Sequence, residues 1–205
     1  MKRICLATTA CSVLLFGFLC QSMAKDKSTL EVALALAKGL GEDQCMLQHQ
    51  DHQDDSFAPQ LYKFSHKDTY DDEARDYQLF RIPCWMAAYN QGDAFILFDS
   101  YGEASLIAFA VPDYTVKYVD PESDEKVESV IVTGYRARMT VGFSDFNPET
   151  LQISEYHKSR GLGDASTSAI WQYSSGTFVL RSFSVDASYD GELNQNGLVD
   201  FGASK

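Results

Sequence analysis

The chain has 205 residues, with 17 Lys and Arg against 29 Asp and Glu for a formal net charge of −12, and 13% of its residues are aromatic. So negative a surface excludes nucleic acid, whose binding rests on cationic contacts to phosphate, and it repels anionic membrane. It suits a soluble protein of one ordinary domain with a cationic partner, and the aromatic content is enough to fill a core without a disulfide scaffold.

Residues 1–24 have the organisation of a secretory signal. Lys2 and Arg3 give a positive start, a mostly apolar stretch runs from Ile4 to Cys20, and Ser22-Met23-Ala24 supplies small residues where a signal peptidase inspects the chain. Thr8, Thr9 and Ser12 interrupt the stretch, which makes it a poor membrane span. Cleavage after Ala24 is expected, with release to the periplasm or the outside, a charge of −14 on the remainder, and no stable membrane insertion afterwards. Lipidation at Cys20 is disfavoured by the bulky Leu19 before it. Three of the five cysteines (Cys5, Cys11 and Cys20) leave with this prefix, and Cys45 and Cys84 stay.

The next stretch predicts a helix over about 28–39. Ser28-Thr29-Leu30-Glu31 forms a capping box, Leu30, Leu34 and Ala37 recur at helical spacing, and Gly39 and Gly41 stop the run. A polar, acidic segment over 44–59 reads as an exposed loop closed by Pro59. Within it His49 and His52 stand three apart among Gln and Asp, residue types that ligate divalent metals. A metal site needs three or four converging ligands held by a closed surround. A stretch polar throughout has the character of a solvated loop, so no metal is assigned.

From residue 61 onward the pattern is β. Ten short strands are expected: Leu61–Phe64, Tyr77–Ile82, Ala94–Asp99, Ser105–Ala110, Tyr114–Val119, Ser129–Thr133, Ala137–Phe143, Leu151–Tyr156, Ala169–Tyr173 and Thr177–Val185. Met139, Val141 and Phe143 alternate with polar or small residues, as in a half-buried strand. Turns are expected at Pro121–Glu125, at Asn147-Pro148-Glu149-Thr150 and at Ser174-Ser175-Gly176. The Asn/Gly-rich tail, about 191–205, is expected to fray. One helix followed by about ten strands is an α+β fold, predominantly antiparallel β, in a single domain over 25–205.

Few segments carry chemistry. Two cysteines in an exported chain most often pair, so a Cys45–Cys84 disulfide is expected. A nucleophilic thiol would need a base beside it, and no flanking signature supports His157 in that role. Arg160-Gly161-Leu162-Gly163-Asp164 is the densest local motif; without a following helix its glycines mark a tight turn rather than a phosphate cradle. Glu192 to Ala203 resembles a calcium loop only superficially, because Ala203 stands where a bidentate Glu belongs. No serine-hydrolase elbow, zincin helix or lactamase-type motif occurs, and no cofactor is called for.

Two segments taken together resemble the domain of unknown function 1176 family. Pro83-Cys84-Trp85-Met86-Ala87-Ala88-Tyr89-Asn90, followed by an apolar strand, is similar to its Pro-Cys-Trp-x-x-Ala-Tyr-Asn block. Lys158-Ser159-Arg160-Gly161-Leu162-Gly163-Asp164, followed by Trp171, is similar to its second block, in which a cysteine comes after Gly-Leu-Gly-Asp. Here that position is Ala165, with no cysteine downstream, so a second disulfide of the family pattern is absent. The resemblance implies a bacterial exported protein and carries no activity or catalytic residues with it.

The expectation is therefore a non-enzymatic binding or envelope-associated protein in the periplasm, taking a cationic protein such as a lysozyme. Trp85, Tyr89, Asn90, Arg160 and Asp164 are the candidate binding residues, and no catalytic residue is assigned. The alternative is a hydrolase of envelope components with Asp164, Arg160, His157 and Tyr89 around one site.

Overall fold

The computed structural model describes residues 28–47, 57–68 and 71–202. The leader and the paired histidines His49 and His52 lie outside the described residues, as does most of the polar loop between them and Pro59. Helix α1 covers residues 28–38. It ends at the predicted glycines: Gly39 and Gly41 donate to the carbonyls of Ala35 and Lys38, and Gly41 takes a φ of 88°, which glycine adopts without a Cβ penalty. Ala33 and Ala37 are fully buried, with Leu30 and Leu34 packed beside them, so the stripe read from the sequence is the face the helix hides.

The described residues hold twelve strands. They are β1 (Gln60–His66), β2 (Arg75–Met86), β3 (Gln91–Phe98), β4 (Ala104–Leu106), β5 (Phe109–Tyr118), β6 (Val127–Arg138), β7 (Val141–Gly142), β8 (Asp145–Asn147), β9 (Gln152–Lys158), β10 (Ser166–Ser174), β11 (Thr177–Asp186) and β12 (Asn196–Asp200). One sheet runs β1-β2-β3-β4 with β7 also on β3; the other runs β12-β11-β10-β9-β8; β5 and β6 form a long hairpin. The pairings are antiparallel throughout, as expected of an α+β chain dominated by antiparallel sheet.

Where the strands differ from expectation, the causes are local. Ser129–Thr133 and the start of Ala137–Phe143 fuse into β6, because Gly134 stays paired with Asp113 and the register shift before Tyr114 takes up Thr133 as the extra residue. Ser105–Ala110 spans a break, since β4 ends at Leu106 and β5 starts at Phe109. Phe143 is not the third inward side chain after Val141: its backbone takes a φ of 35° and turns the ring out to 47% exposure. The tail does not fray over 196–200. There β12 pairs with Ser182–Val185 and covers an edge of β11 whose amides would otherwise lie unpaired, and Val199 is buried in the core.

The core has two parts. β3 is buried continuously from Gly92 to Phe98 because both of its faces are covered. Phe95 and Leu97 face the second sheet, while Ala94, Ile96 and Phe98 join the cluster under α1. Between the sheets Phe109 makes edge-on contacts with Phe95 and Trp171, at centroid distances of 5.9 and 4.9 Å. The Trp171 indole N–H donates to Ala110 O at 2.9 Å, tying the β5–β6 hairpin to the second sheet. On the other side of β3 the disulfide Cys45–Cys84 joins positions 39 residues apart and fastens the segment after α1 to β2.

Candidate functional site

The two sequence blocks meet in space, and Asn90 is the joint. It lies just before β3, 6% exposed, and its carboxamide serves both backbone groups of one residue at the end of β9. Nδ2 donates to Lys158 O at 2.7 Å, and Lys158 N donates to Oδ1 at 3.0 Å. The side chain thus acts as a piece of strand bridging the two sheets. Tyr89 lies beside it, its ring against Gly161 and its hydroxyl 3.5 Å from Ser159 O.

Trp85 does not join this cluster. It sits across from Gly92 in the β2–β3 ladder and packs against the cluster under α1. A Cβ at Gly92 would lie 2.1 Å from the indole, so the glycine is the seat of the ring. Gly92→Ala should displace Trp85 and cost about 1–3 kcal/mol, the usual range for overpacking. Urea denaturation followed by tryptophan fluorescence would check it, and an unchanged midpoint would show that the indole is free to move.

Arg160 and Asp164 form the second part of the cluster. Arg160 Nε donates to Asp164 Oδ1 at 2.7 Å and Nη2 to Oδ2, a two-pronged ion pair. The same Nη2 reaches Tyr189 O at 3.0 Å, and the guanidinium lies over the Tyr189 ring at 5.1 Å. The Asp164 side chain, 2% exposed, also accepts the Gly191 N–H at 2.9 Å. The Arg160 guanidinium, helped by the amides of Ala165 and Gly191, holds this carboxyl well below the usual carboxylate range. It is a fixed anion that staples the 160–164 turn to the 189–191 segment.

That staple builds one end of the molecule. Tyr189 N donates to Asp124 O, which docks the turn between β5 and β6 on the same segment. Asp120, Glu122, Asp124, Glu125, Asp190 and Glu192 are all exposed there. Leu162, at the tip of the turn, is 76% exposed, and Leu193 is 70% exposed. The arrangement is apolar tips on a rigid base, rimmed by carboxylates.

A different polar cluster lies where the chain crosses from one sheet to the other, between β7 and β8. Asp93, fully buried, accepts from Gln91 Nε2 at 2.8 Å and from Ser144 Oγ at 2.7 Å. Arg81 Nη1 donates to Ser144 O at 2.9 Å. Glu155, also buried, accepts the Gly142 N–H at 2.7 Å and pairs with Arg138. His157 belongs here, facing Gly142 and Glu155, and burial pushes it below its ordinary value. Its neighbour Tyr156 points to the opposite side of β9 and donates to Gly163 O at 3.0 Å. The structure thus brings Tyr89, Asn90, Arg160 and Asp164 into contiguous contacts and places Trp85 and His157 in separate surroundings.

Burial pushes the Asp93 carboxyl above its ordinary range, against the bonds from Gln91 and Ser144. Such a group keeps its proton in the folded state after the unfolded chain has released it. The contribution of Asp93 to stability is therefore full below the ordinary aspartate value of about 3.9 and is lost as pH rises through the raised one. Asp93→Asn should flatten that slope relative to the parent when denaturant midpoints are compared from about pH 4 to 7. Identical slopes in the two proteins would contradict the assignment.

Arg81, Asp93, Phe143 and Ser144 carry no signal in the sequence, since they meet only through the crossing. Among the described residues, two five-stranded antiparallel sheets with a long hairpin and a disulfide-tethered helix, the two sequence blocks locked by an asparagine, are the class that this fold and site define. The family model described as Protein of unknown function (DUF1176) matches residues 40–192, and the chain belongs to that family. No curated protein and no solved structure matches it.

Proposed function

We propose that the protein is a non-enzymatic binding protein of the bacterial envelope, exported with its leader removed after Ala24, and that it docks a basic protein on its acidic end. The observation that carries the reading is the pairing of exposed Leu162 and Leu193 with the surrounding carboxylates of the 120–125 turn and of Asp190 and Glu192. Apolar tips supply contact area, and the acidic rim steers a cationic partner and aligns it. The Arg160–Asp164 pair, buried on its aspartate side, keeps the tip pre-organised, which lowers the ordering cost of binding. A disulfide between the two body cysteines supports an oxidising compartment.

A hydrolase site at the Arg160–Asp164 turn finds less support. Asp164 is committed to Arg160 and Gly191, and its depressed pKa makes it a poor proton donor. His157 sits among Glu155, Arg138 and Gly142 instead of beside it.

Lysozyme is a fitting basic probe. Affinity and lysozyme activity measured at low and physiological salt should show binding that weakens with salt. Leu162→Asp should weaken it about tenfold or more, equivalent to about 1.4 kcal/mol. No binding to lysozyme or to other basic proteins at either salt would end this reading.

A further inference from the structure

The crossing between the sheets leaves an open cavity of about 460 Å³ lined by Gln60, Arg81, Gln91, Phe143 and Ser144. Three observations point to an occupant. The first is Arg81. It is half-buried on β2, Nη1 is bound to Ser144 O, and its buried Nε has no partner. Among the described residues no carboxylate lies within ion-pair distance of it. Asp93 behind it is committed to Gln91 and Ser144, and Asp145 nearby is held by the Tyr62 hydroxyl at 3.1 Å. An arginine at a cavity wall whose charge no carboxylate pairs within ion-pair distance matches a carboxylate.

The second observation is Phe143. A φ of 35° is unfavourable for a bulky side chain, and the ring it presents is 47% exposed at the cavity. The strain turns an aromatic away from the core into which Val141 points, and the ring lies outside both core clusters. Strain kept at a cavity rim marks a ligand platform. The third is the wall itself: Gln91 Nε2 and the Ser144 hydroxyl are taken up by Asp93 and Gln60 Oε1 by Tyr62, which leaves Gln91 Oε1 and the Gln60 amide N–H groups as the partners for ligand hydroxyls. A wholly apolar ligand would leave these groups dry and unpaired.

We propose that this cavity binds a carboxylated sugar of the uronic-acid type, with its carboxylate on Arg81, its C–H face on the Phe143 ring and its hydroxyls on Gln60 and Gln91. The cavity volume is that of an ordinary small-molecule site. The site stands apart from the acidic end and does not rest on the partner proposed there.

Titration of the folded protein with glucuronate, followed by amide chemical shifts, tests it, with glucose and acetate as separate arms. Glucuronate should shift residues around 81, 91 and 143–144 and bind at least about tenfold tighter than either control. Phe143→Gly is the informative variant: glycine accepts the φ of 35° without strain, so folding should survive while glucuronate binding weakens about tenfold or more. Arg81→Gln should bring glucuronate down to the level of glucose. Absence of glucuronate binding, equal binding of glucose or acetate, or a folded Phe143→Gly protein that binds as before would each overturn the proposal.

Discussion

Replacing both Cys45 and Cys84 by alanine should lower the unfolding free energy by roughly 3–4 kcal/mol, the chain-entropy value for a crosslink between positions 39 residues apart. The size matters because of what the bridge holds. Helix α1 spans residues 28–38, too short to persist alone in water. It is kept by Ala33, Ala37 and their leucine neighbours against Phe80, Ile82, Ala94, Ile96 and Phe98, and by the tether behind it. Both sulfur-bearing residues are buried, Cys45 at 3% and Cys84 at 0% exposure, so reduction needs that segment to lift. Hydrogen exchange on the reduced protein should show residues 28–47 losing protection before either sheet does. Released from its cover, the outer face of β3 would become a contiguous apolar patch, and the reduced protein should aggregate more readily. Mass spectrometry of the unreduced protein should find neither cysteine alkylatable. A stability loss below about 1 kcal/mol in the double variant would show that the unfolded chain is already restricted between these positions.

The features legible in the sequence are those fixed by neighbours along the chain. The helix follows from a four-residue capping box and two glycines. The Ser174-Ser175-Gly176 turn is legible because only its own φ values matter, and Ser175 and Gly176 both take positive ones. Asn147 closes the next turn by accepting the amides of Glu149 and Thr150. The Arg160–Asp164 motif is legible as a turn, yet its further bonds to Tyr189 and Gly191, in the segment after β11, are not. The cavity is the opposite case. Ser144 reaches Asp93 across 51 positions and Arg81 across 63, and no periodicity records such a meeting. Phe143 departs from its alternation for the same reason: alternation assumes a regular strand, and the chain leaves one sheet for the other at that residue. β12 is not legible in the sequence because an Asn/Gly-rich segment has little strand propensity of its own and pairs only where an edge awaits it.

Asn90→Ala should cost about 2–4 kcal/mol, because it strands both the N–H and the C=O of Lys158 near the end of β9. Each of these groups is worth about 1–3 kcal/mol when left unmet away from water. Asn90→Asp separates the two halves of the bond. It keeps an acceptor for Lys158 N, loses the donor to Lys158 O, and sets a carboxylate against that carbonyl in a place 6% exposed. Its loss should therefore be at least as large as that of alanine at neutral pH and should shrink on acidification, when the carboxyl can donate. The consequence for function runs through Tyr89, which rests on Gly161 and Ser159 next to the joint. With the joint cut, the 160–164 turn loses the asparagine's anchor to the first sheet and keeps the Tyr156 bond to Gly163 O and the staple to the 189–191 segment. Hydrogen exchange at residues 158–163 should accelerate in a folded Asn90→Ala protein, and on the proposed reading of the Leu162 tip the higher ordering cost would weaken binding of a basic protein there. Unchanged exchange at Lys158 would mean that its backbone groups find other partners, and the asparagine would then be no joint at all.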